Sequence, residues 1–334
     1  MAIGGRVCTL NYQGTPVVVK EGALGDGVGA KVWTAAHTLS HELASNPEIV
    51  KEKSVLEIGA GCGACGFLAA KLGARQVVLS DYVDQLLLNL RDALHLNGFG
   101  ECRITQGADS LDGDHNDAED NDQYTAEVKQ SPQTVSLTTE SKANAWNCGH
   151  VAVRFIDWID SLESVNDKLL RKNNARFGSS CNQSCKGLQR PDSQASLASS
   201  RSSSYSALDG MSSRSIAPEV SSNKKFDVVL GTDILYEWQM TETVAATICH
   251  RLKPGGLALV CNAIRDQDMF DEMIRNMKRF GLHVGITPIQ PELNDASICH
   301  YDQEYEGGFV LVACEHSSYP ASSWYRNDLF PDHL

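Results

Sequence analysis

No stretch of about 18 consecutive apolar residues occurs in the 334-residue chain, so the sequence predicts no transmembrane helix and no membrane partner. Met1 to Arg6 is neither basic enough nor apolar enough for a secretory leader, and cytoplasm, with the nucleus as a second compartment, is the expected location. Positive charge is in short supply: 29 Lys and Arg stand against 42 Asp and Glu, a formal net charge of −13. A chain so short of cations lacks the electrostatic footprint of a nucleic-acid binder. No Gly-x-x-x-x-Gly-Lys-[Ser/Thr] loop is present, which argues against a phosphate-gripping P-loop. No Cys and His set has zinc-finger spacing, so no metal site is expected. Cysteines themselves are plentiful, 11 in all, but Cys62, Cys65, Cys249 and Cys261 stand in apolar strand or helix contexts and read as reduced core thiols. Cys62-x-x-Cys65 lies inside a glycine loop, where small residues fit a tight turn better than they make a redox pair.

That loop is the densest signal in the chain. Val55-Leu56-Glu57-Ile58 reads as a buried strand, Gly59, Gly61 and Gly63 as a turn that lets backbone approach a ligand, and Phe67-Leu68-Ala69-Ala70 as the body of a following helix. Asp81 closes the next apolar strand, Gln76 to Ser80, at the spacing that suits a carboxylate accepting from ribose hydroxyls. Glu57 sharpens the choice of ligand. A carboxylate would repel a pyrophosphate but tolerate a sulfonium and an ammonium group, so S-adenosylmethionine is favoured over a dinucleotide.

The rest of the chain alternates strands and helices. Residues to about Gly22 read as a short antiparallel strand pair. Trp33 to Leu43 reads as a helix on the sheet edge, with Trp33, Ala36, Leu39 and Leu43 on one side. Helices follow at about Ala64 to Leu72 and Val83 to Leu96, the second stopped by Asn97-Gly98. Val151 to Ile156, Phe226 to Leu230, Leu257 to Cys261 and Phe309 to Ala313 read as further strands, with helices at Thr241 to Leu252 and Phe270 to Phe280 and a turn at Lys253-Pro254-Gly255-Gly256. The alternation predicts an α/β fold, a mostly parallel sheet with helices on both faces. Residues 1–50 would supply the strand pair and edge helix, 51–316 the main domain and 317–334 a tail. Two segments, about 110–147 and 165–223, are acidic or serine-rich with few large apolar residues, and are expected to be disordered insertions.

Several landmarks occur together. Lys31-Val32-Trp33-Thr34-Ala35-Ala36 precedes the glycine loop; Leu79-Ser80-Asp81 and the asparagines Asn89 and Asn97 follow it; then come Phe155-Ile156-Asp157-Trp158 and Asp227 to Tyr236, which ends in Asp233-x-x-Tyr236. In this order they resemble the class I, seven-β-strand S-adenosylmethionine-dependent methyltransferases, in particular the protein-lysine methyltransferases of family 16 (the methyltransferase-like 21 and 22 relatives). The resemblance covers residues 24–110, 150–162 and 224–315. It implies a Rossmann-like, seven-stranded sheet with an antiparallel last strand entered through a hairpin at Gly307-Gly308, and S-adenosylmethionine as cofactor. Where relatives often carry alanine before the strand-end aspartate, this chain has Thr232.

The implied site is spread over the carboxyl ends of the strands. Trp33, Glu57, Gly59, Gly61, Gly63, Asp81, Asp157, Trp158 and Asp233 would form the cofactor site, with Asp157 on the adenine amino group and Trp158 against the ring. Asp233 and Tyr236 would be catalytic, Asp233 accepting from a substrate amine and Tyr236 walling its channel. Glu237 reads as a solvated carboxylate and Arg265 as a surface salt-bridge partner. The resemblance implies a monomer that methylates a lysine of a protein substrate. Arginine, histidine or a small molecule as acceptor, and a non-catalytic scaffold, remain open.

Overall fold

The computed structural model describes residues 5–23, 27–99, 146–177, 215–290 and 308–318, with the side chains of 172–177 left aside. Two strands, β1 (Arg6–Tyr12) and β2 (Thr15–Glu21), pair antiparallel across a turn at Gln13-Gly14. Helix α1 (Thr34–Ser45) follows. Then come β3 (Ser54–Ile58), α2 (Ala64–Lys71), β4 (Gln76–Asp81), α3 (Asp84–Leu96), β5 (Asn147–Cys148), β6 (Val151–Phe155) and α4 (Trp158–Phe177). The last third holds β7 (Phe226–Thr232), α5 (Met240–Arg251), β8 (Leu252–Ala263), α6 (Gln267–Arg279), β9 (Leu282–Ile289) and β10 (Phe309–His316).

The main sheet runs β5-β6-β4-β3-β7-β8-β10-β9. The pairs β6/β4, β4/β3, β3/β7 and β7/β8 are parallel, whereas β10 lies antiparallel between β8 and β9. The expected mostly parallel sheet with an antiparallel last strand is therefore present. The described sheet has eight strands rather than seven because the two-residue β5 adds antiparallel to β6 at the outer edge.

Period-two alternation along the buried strands sorts side chains to two cores. Val55, Val77, Leu79, Val228, Leu230, Leu257 and Leu259 face α1, α2 and α3. Leu56, Ile58, Val78, Val229 and Val260 face the other way, onto α4, α5 and α6. The β1–β2 ribbon packs on α2 and α3, and Asn97 fastens it by exchanging hydrogen bonds with both backbone groups of Val18 at 2.9 and 2.6 Å.

Four local expectations change. Helix α1 is not at the sheet edge: Ala35, Leu39 and Leu43 pack it over β7 and β8 near the middle of the sheet. The segment expected to be irregular from 165 begins inside α4, which continues to Phe177. Leu162, Val165 and Leu169 supply a helical stripe against α5. Its other end, 215–223, returns beside β6: Phe155 N–H donates to Pro218 at 2.9 Å and Val220 N–H to Phe155 at 3.1 Å. The turn expected at Lys253 to Gly256 is taken up in β8 as an irregularity opposite Asp227, with Gly255 at φ 72°. Residues 100–145, 178–214 and 319–334, which carry most of the expected insertions and the tail, lie outside the described residues. No described helix is long and apolar enough to cross a membrane.

Candidate active site

Parallel strands β3, β4, β6 and β7 all end on one side of the sheet, and the turns that follow them line a cavity of about 220 Å³. Its floor is the loop after β3, where Gly59, Gly61 and Gly63 have φ of 59°, 52° and 76°. At Gly61 the close neighbour is backbone rather than a side chain. A Cβ there would lie 2.6 Å from the carbonyl oxygen of Gly29, backbone against backbone, in a left-handed conformation that side chains disfavour. The segment Val28–Ala30 thus closes over the loop, and Trp33 is set beside it with its indole N–H donating to Val28 at 2.9 Å.

Asp81 ties this loop to the next strand. One carboxylate oxygen accepts from Gly61 N–H at 3.0 Å; the other accepts from Tyr82 and Val83 at 2.8 and 3.1 Å. Burial raises its carboxyl above the ordinary range, and those three backbone bonds oppose the rise. A carboxylate has about four lone-pair sites, so capacity remains for a ligand hydroxyl.

Glu57 lines the cavity but is engaged from behind. Its carboxyl is buried and accepts from Gly66 N–H at 2.9 Å, at the first turn of α2. Gly63, the residue that precedes that helix, has no side chain to cap it, and Glu57 fills the role from the strand below. Burial above all pushes the Glu57 carboxyl up to about 8; the Gly66 and Cys65 N–H groups pull the other way and Asp81 adds to the rise. Glu57 thus lines the cavity as expected, and beyond the sequence reading it also closes a helix end with a carboxyl that burial holds protonated above the ordinary range. A stability test follows. The folded protein holds a proton on Glu57 that the unfolded chain releases near 4.5, so this group's contribution is full below that pH and is lost as pH rises toward 8. In that window the slope approaches about 1.4 kcal/mol per pH unit for one proton. Denaturant titrations of Glu57→Gln and wild type should diverge from pH 5 to 8, the variant losing less stability as pH rises.

Asp233 sits at the end of β7 with φ 50°, unusual for a non-glycine residue. It is buried, and Oδ1 accepts from Ala263 N–H and from the Arg265 guanidinium, both at 3.0 Å. Asn262 on the adjacent strand fixes the turn by accepting from Ile234 N–H at 3.2 Å. Arg265 is therefore a partner of the site's own aspartate rather than a surface pair. Tyr236 faces Tyr82 across the cavity mouth. Burial and the neighbouring Tyr82 hydroxyl push its own hydroxyl well above the ordinary value, so it stays protonated.

Of the residues expected in the site, Trp33, Glu57, Gly59, Gly61, Gly63, Asp81, Trp158, Asp233 and Tyr236 all line this one cavity. Asp157 does not; its carboxylate accepts from Ile159 N–H at 2.9 Å and starts α4. Lys31, Tyr82 and Glu237 are lining residues to which the sequence reading assigned no role in the cofactor site or in catalysis. Tyr82 directly follows Asp81, and Lys31 stands two residues before Trp33, so adjacency to landmark residues was their signal. No group of three or more potential metal ligands occurs among the described residues.

Residues 13–111 match a protein-family model described as lysine methyltransferase, which bears out the resemblance read from the sequence. A protein N-terminal and lysine N-methyltransferase of Cryptococcus neoformans is 39% identical over 74 residues, 22% of this chain and 25% of the relative. A protein-lysine N-methyltransferase of Chaetomium thermophilum is 41% identical over 79 residues, 23% of this chain and 24% of the relative. The human electron transfer flavoprotein beta subunit lysine methyltransferase is 39% identical over 56 residues, 17% and 21% of the two chains. The chain thus spans about a quarter or less of the length of these relatives. Among solved structures, a T. thermophilus 16S rRNA methyltransferase in complex with AdoMet and guanosine superposes with a TM-score of 0.41 at 12% identity, covering 94% of this chain and 51% of that one.

Proposed function

We propose that the protein transfers a methyl group from S-adenosylmethionine to a lysine side chain of a protein substrate. The observation that carries this reading is the convergence of the glycine loop, Asp81, Trp158, Asp233 and Tyr236 on one cavity. The residues fit the cofactor. The loop is kept clear of Cβ atoms at Gly61, Asp81 retains acceptor capacity for ribose hydroxyls, and Trp33 and Trp158 offer flat apolar surface. Asp157 is dropped from the proposed adenine contacts, because it is not among the residues lining the cavity.

When bound, S-adenosylmethionine supplies an electrophilic methyl on a cationic sulfur. The protein's share is to bind, orient and exclude water. Asp233 is held rigid by Ala263 N–H and the Arg265 guanidinium, which suits it to orient an amine N–H. The amine sheds its proton to solvent before the transfer. Tyr236 donates or presents its ring, and does not act as a base. Tyr82 and Glu237 line the cavity, Tyr82 being 53% exposed, and Trp238, 57% exposed, directly follows Glu237 in the chain. An acidic, aromatic rim suits the approach of a cationic side chain on a flexible stem. Trp238→Ala should raise KM for the protein substrate about fivefold and leave kcat unchanged, because the rim contributes to capture and not to the transfer.

Incubation with S-adenosylmethionine labelled in the methyl group and a fractionated lysate tests the reading. Label is expected in protein and not in nucleic acid; label confined to small molecules would overturn it.

A further inference from the structure

We infer that Lys31 receives the carboxylate at the amino-acid end of the cofactor, and so selects S-adenosylmethionine over ligands that share only its adenosyl part. The inference rests on the cofactor reading above. Lys31 is the one basic side chain among the described lining residues of a cavity whose acids are Glu57, Asp81, Asp233 and Glu237. S-adenosylmethionine carries two positive groups and one negative one. Its carboxylate would meet repulsion from each of those acids that is ionised, and needs a cation or free backbone N–H groups.

The obvious alternative for an anion, the first turn of α2, is already used. Gly66 N–H donates to Glu57 at 2.9 Å, and Cys65 N–H also interacts with that carboxyl. Lys31, by contrast, is held near the loop with bonding capacity to spare. Its backbone is pinned on both sides: Gly22 N–H donates to Ala30 at 2.9 Å and Val32 N–H to the Glu21 carboxylate at 3.2 Å. Its ammonium is 3.5 Å from the other Glu21 oxygen, longer than a close charge-assisted bond, and an ammonium has three donors. Burial raises the Cys62 thiol and Glu21 adds to the rise, while the Lys31 charge opposes it, so the ammonium lies within electrostatic reach of the glycine loop. The Lys31 side chain is 26% exposed and the Glu21 side chain 5%: the buried Glu21 anchors the cation of a residue that lines the cavity.

Calorimetric titration of S-adenosylmethionine and of decarboxylated S-adenosylmethionine, against wild type and Lys31→Met, tests the assignment. The readout is the ratio of the two affinities. Loss of one charge-assisted bond should shift that ratio against S-adenosylmethionine by about ten- to a hundredfold in Lys31→Met. Lys31→Arg should restore it to within about threefold, because the charge is kept. Glu21→Gln separates anchoring from recognition: it should keep the preference for the carboxylate-bearing ligand. Thermal unfolding of each variant identifies any loss of fold, and Lys31→Gln replaces Lys31→Met if the latter does not fold. If both ligands bind and the ratio is the same in wild type and variant, Lys31 is only a support for Glu21 and the proposal fails. If wild type binds neither ligand, the cofactor reading itself fails and takes this inference with it.

Discussion

Gly61→Ala is expected to abolish measurable binding of S-adenosylmethionine. The new Cβ would stand 2.6 Å from Gly29 O, and the residue would have to keep φ near 52°. Left-handed backbone alone costs an alanine about 1–2 kcal/mol. Relief of the clash must move either the Val28–Ala30 segment or the loop itself, and the loop is also the donor to Asp81 through Gly61 N–H. Displacement therefore damages two parts of the cavity at once, and a loss of a hundredfold or more in affinity, about 2.7 kcal/mol, is expected. Gly14→Ala is the matched control. Gly14 also has positive φ, 86°, but nothing lies within 4 Å of a Cβ there and it sits in the β1–β2 turn. It should lose stability and keep its affinity. Equal losses in the two variants would show that strain, not the shape of the cradle, sets binding.

The second large effect is expected at Asp233. Asp233→Asn keeps the shape and an acceptor for Ala263 N–H, but removes the charge paired with Arg265 at 3.0 Å. Turnover should fall about a hundredfold or more, the scale seen when a preorganised polar contact to a reacting group is lost. Cofactor affinity should change by no more than about threefold, so the loss appears in kcat at saturating cofactor. Calorimetry beside steady-state kinetics separates the two. A variant that loses cofactor affinity and turnover in proportion would make Asp233 a binding residue without a role toward the acceptor.

What was legible in the sequence was local. The glycine loop and Asp81 stand within about 25 residues of each other, and their backbone demands are written in residue type: glycine where φ is positive, an acid where a strand ends beside N–H groups. The parallel core of the sheet could be anticipated because buried parallel strands read as apolar runs, Val55 to Ile58 and Val228 to Leu230 among them. Strand β9 escaped notice because Gly285 and Pro288 break its pattern; an edge strand tolerates both, and Pro288 pairs with Val310 there. Helix α4 as a whole was hidden by its polar composition, although Leu162, Val165 and Leu169 keep helical spacing.

The site's electrostatics were the least legible part. A sequence shows that Glu57 is an acid, but not that α2 begins with an uncapped glycine and draws its carboxyl into the helix end. Nor does it show that Arg265, 32 residues beyond Asp233, returns to the same carboxylate because β7 and β8 are neighbours. Such pairings are consequences of topology, and they add to the expected roles: Glu57 lines the cavity and also caps a helix, Arg265 moves from surface to site, and Asp157 starts α4 outside the cavity lining.

The most direct test of the account is the chemical identity of the acceptor. Protein labelled by the enzyme from methyl-labelled S-adenosylmethionine is hydrolysed to amino acids and the labelled species identified by mass. The account predicts ε-N-methyllysine, absent when Asp233→Asn enzyme is used. Label on arginine or histidine would contradict the lysine assignment, and no protein label from enzyme that binds the cofactor would contradict the catalytic reading as a whole.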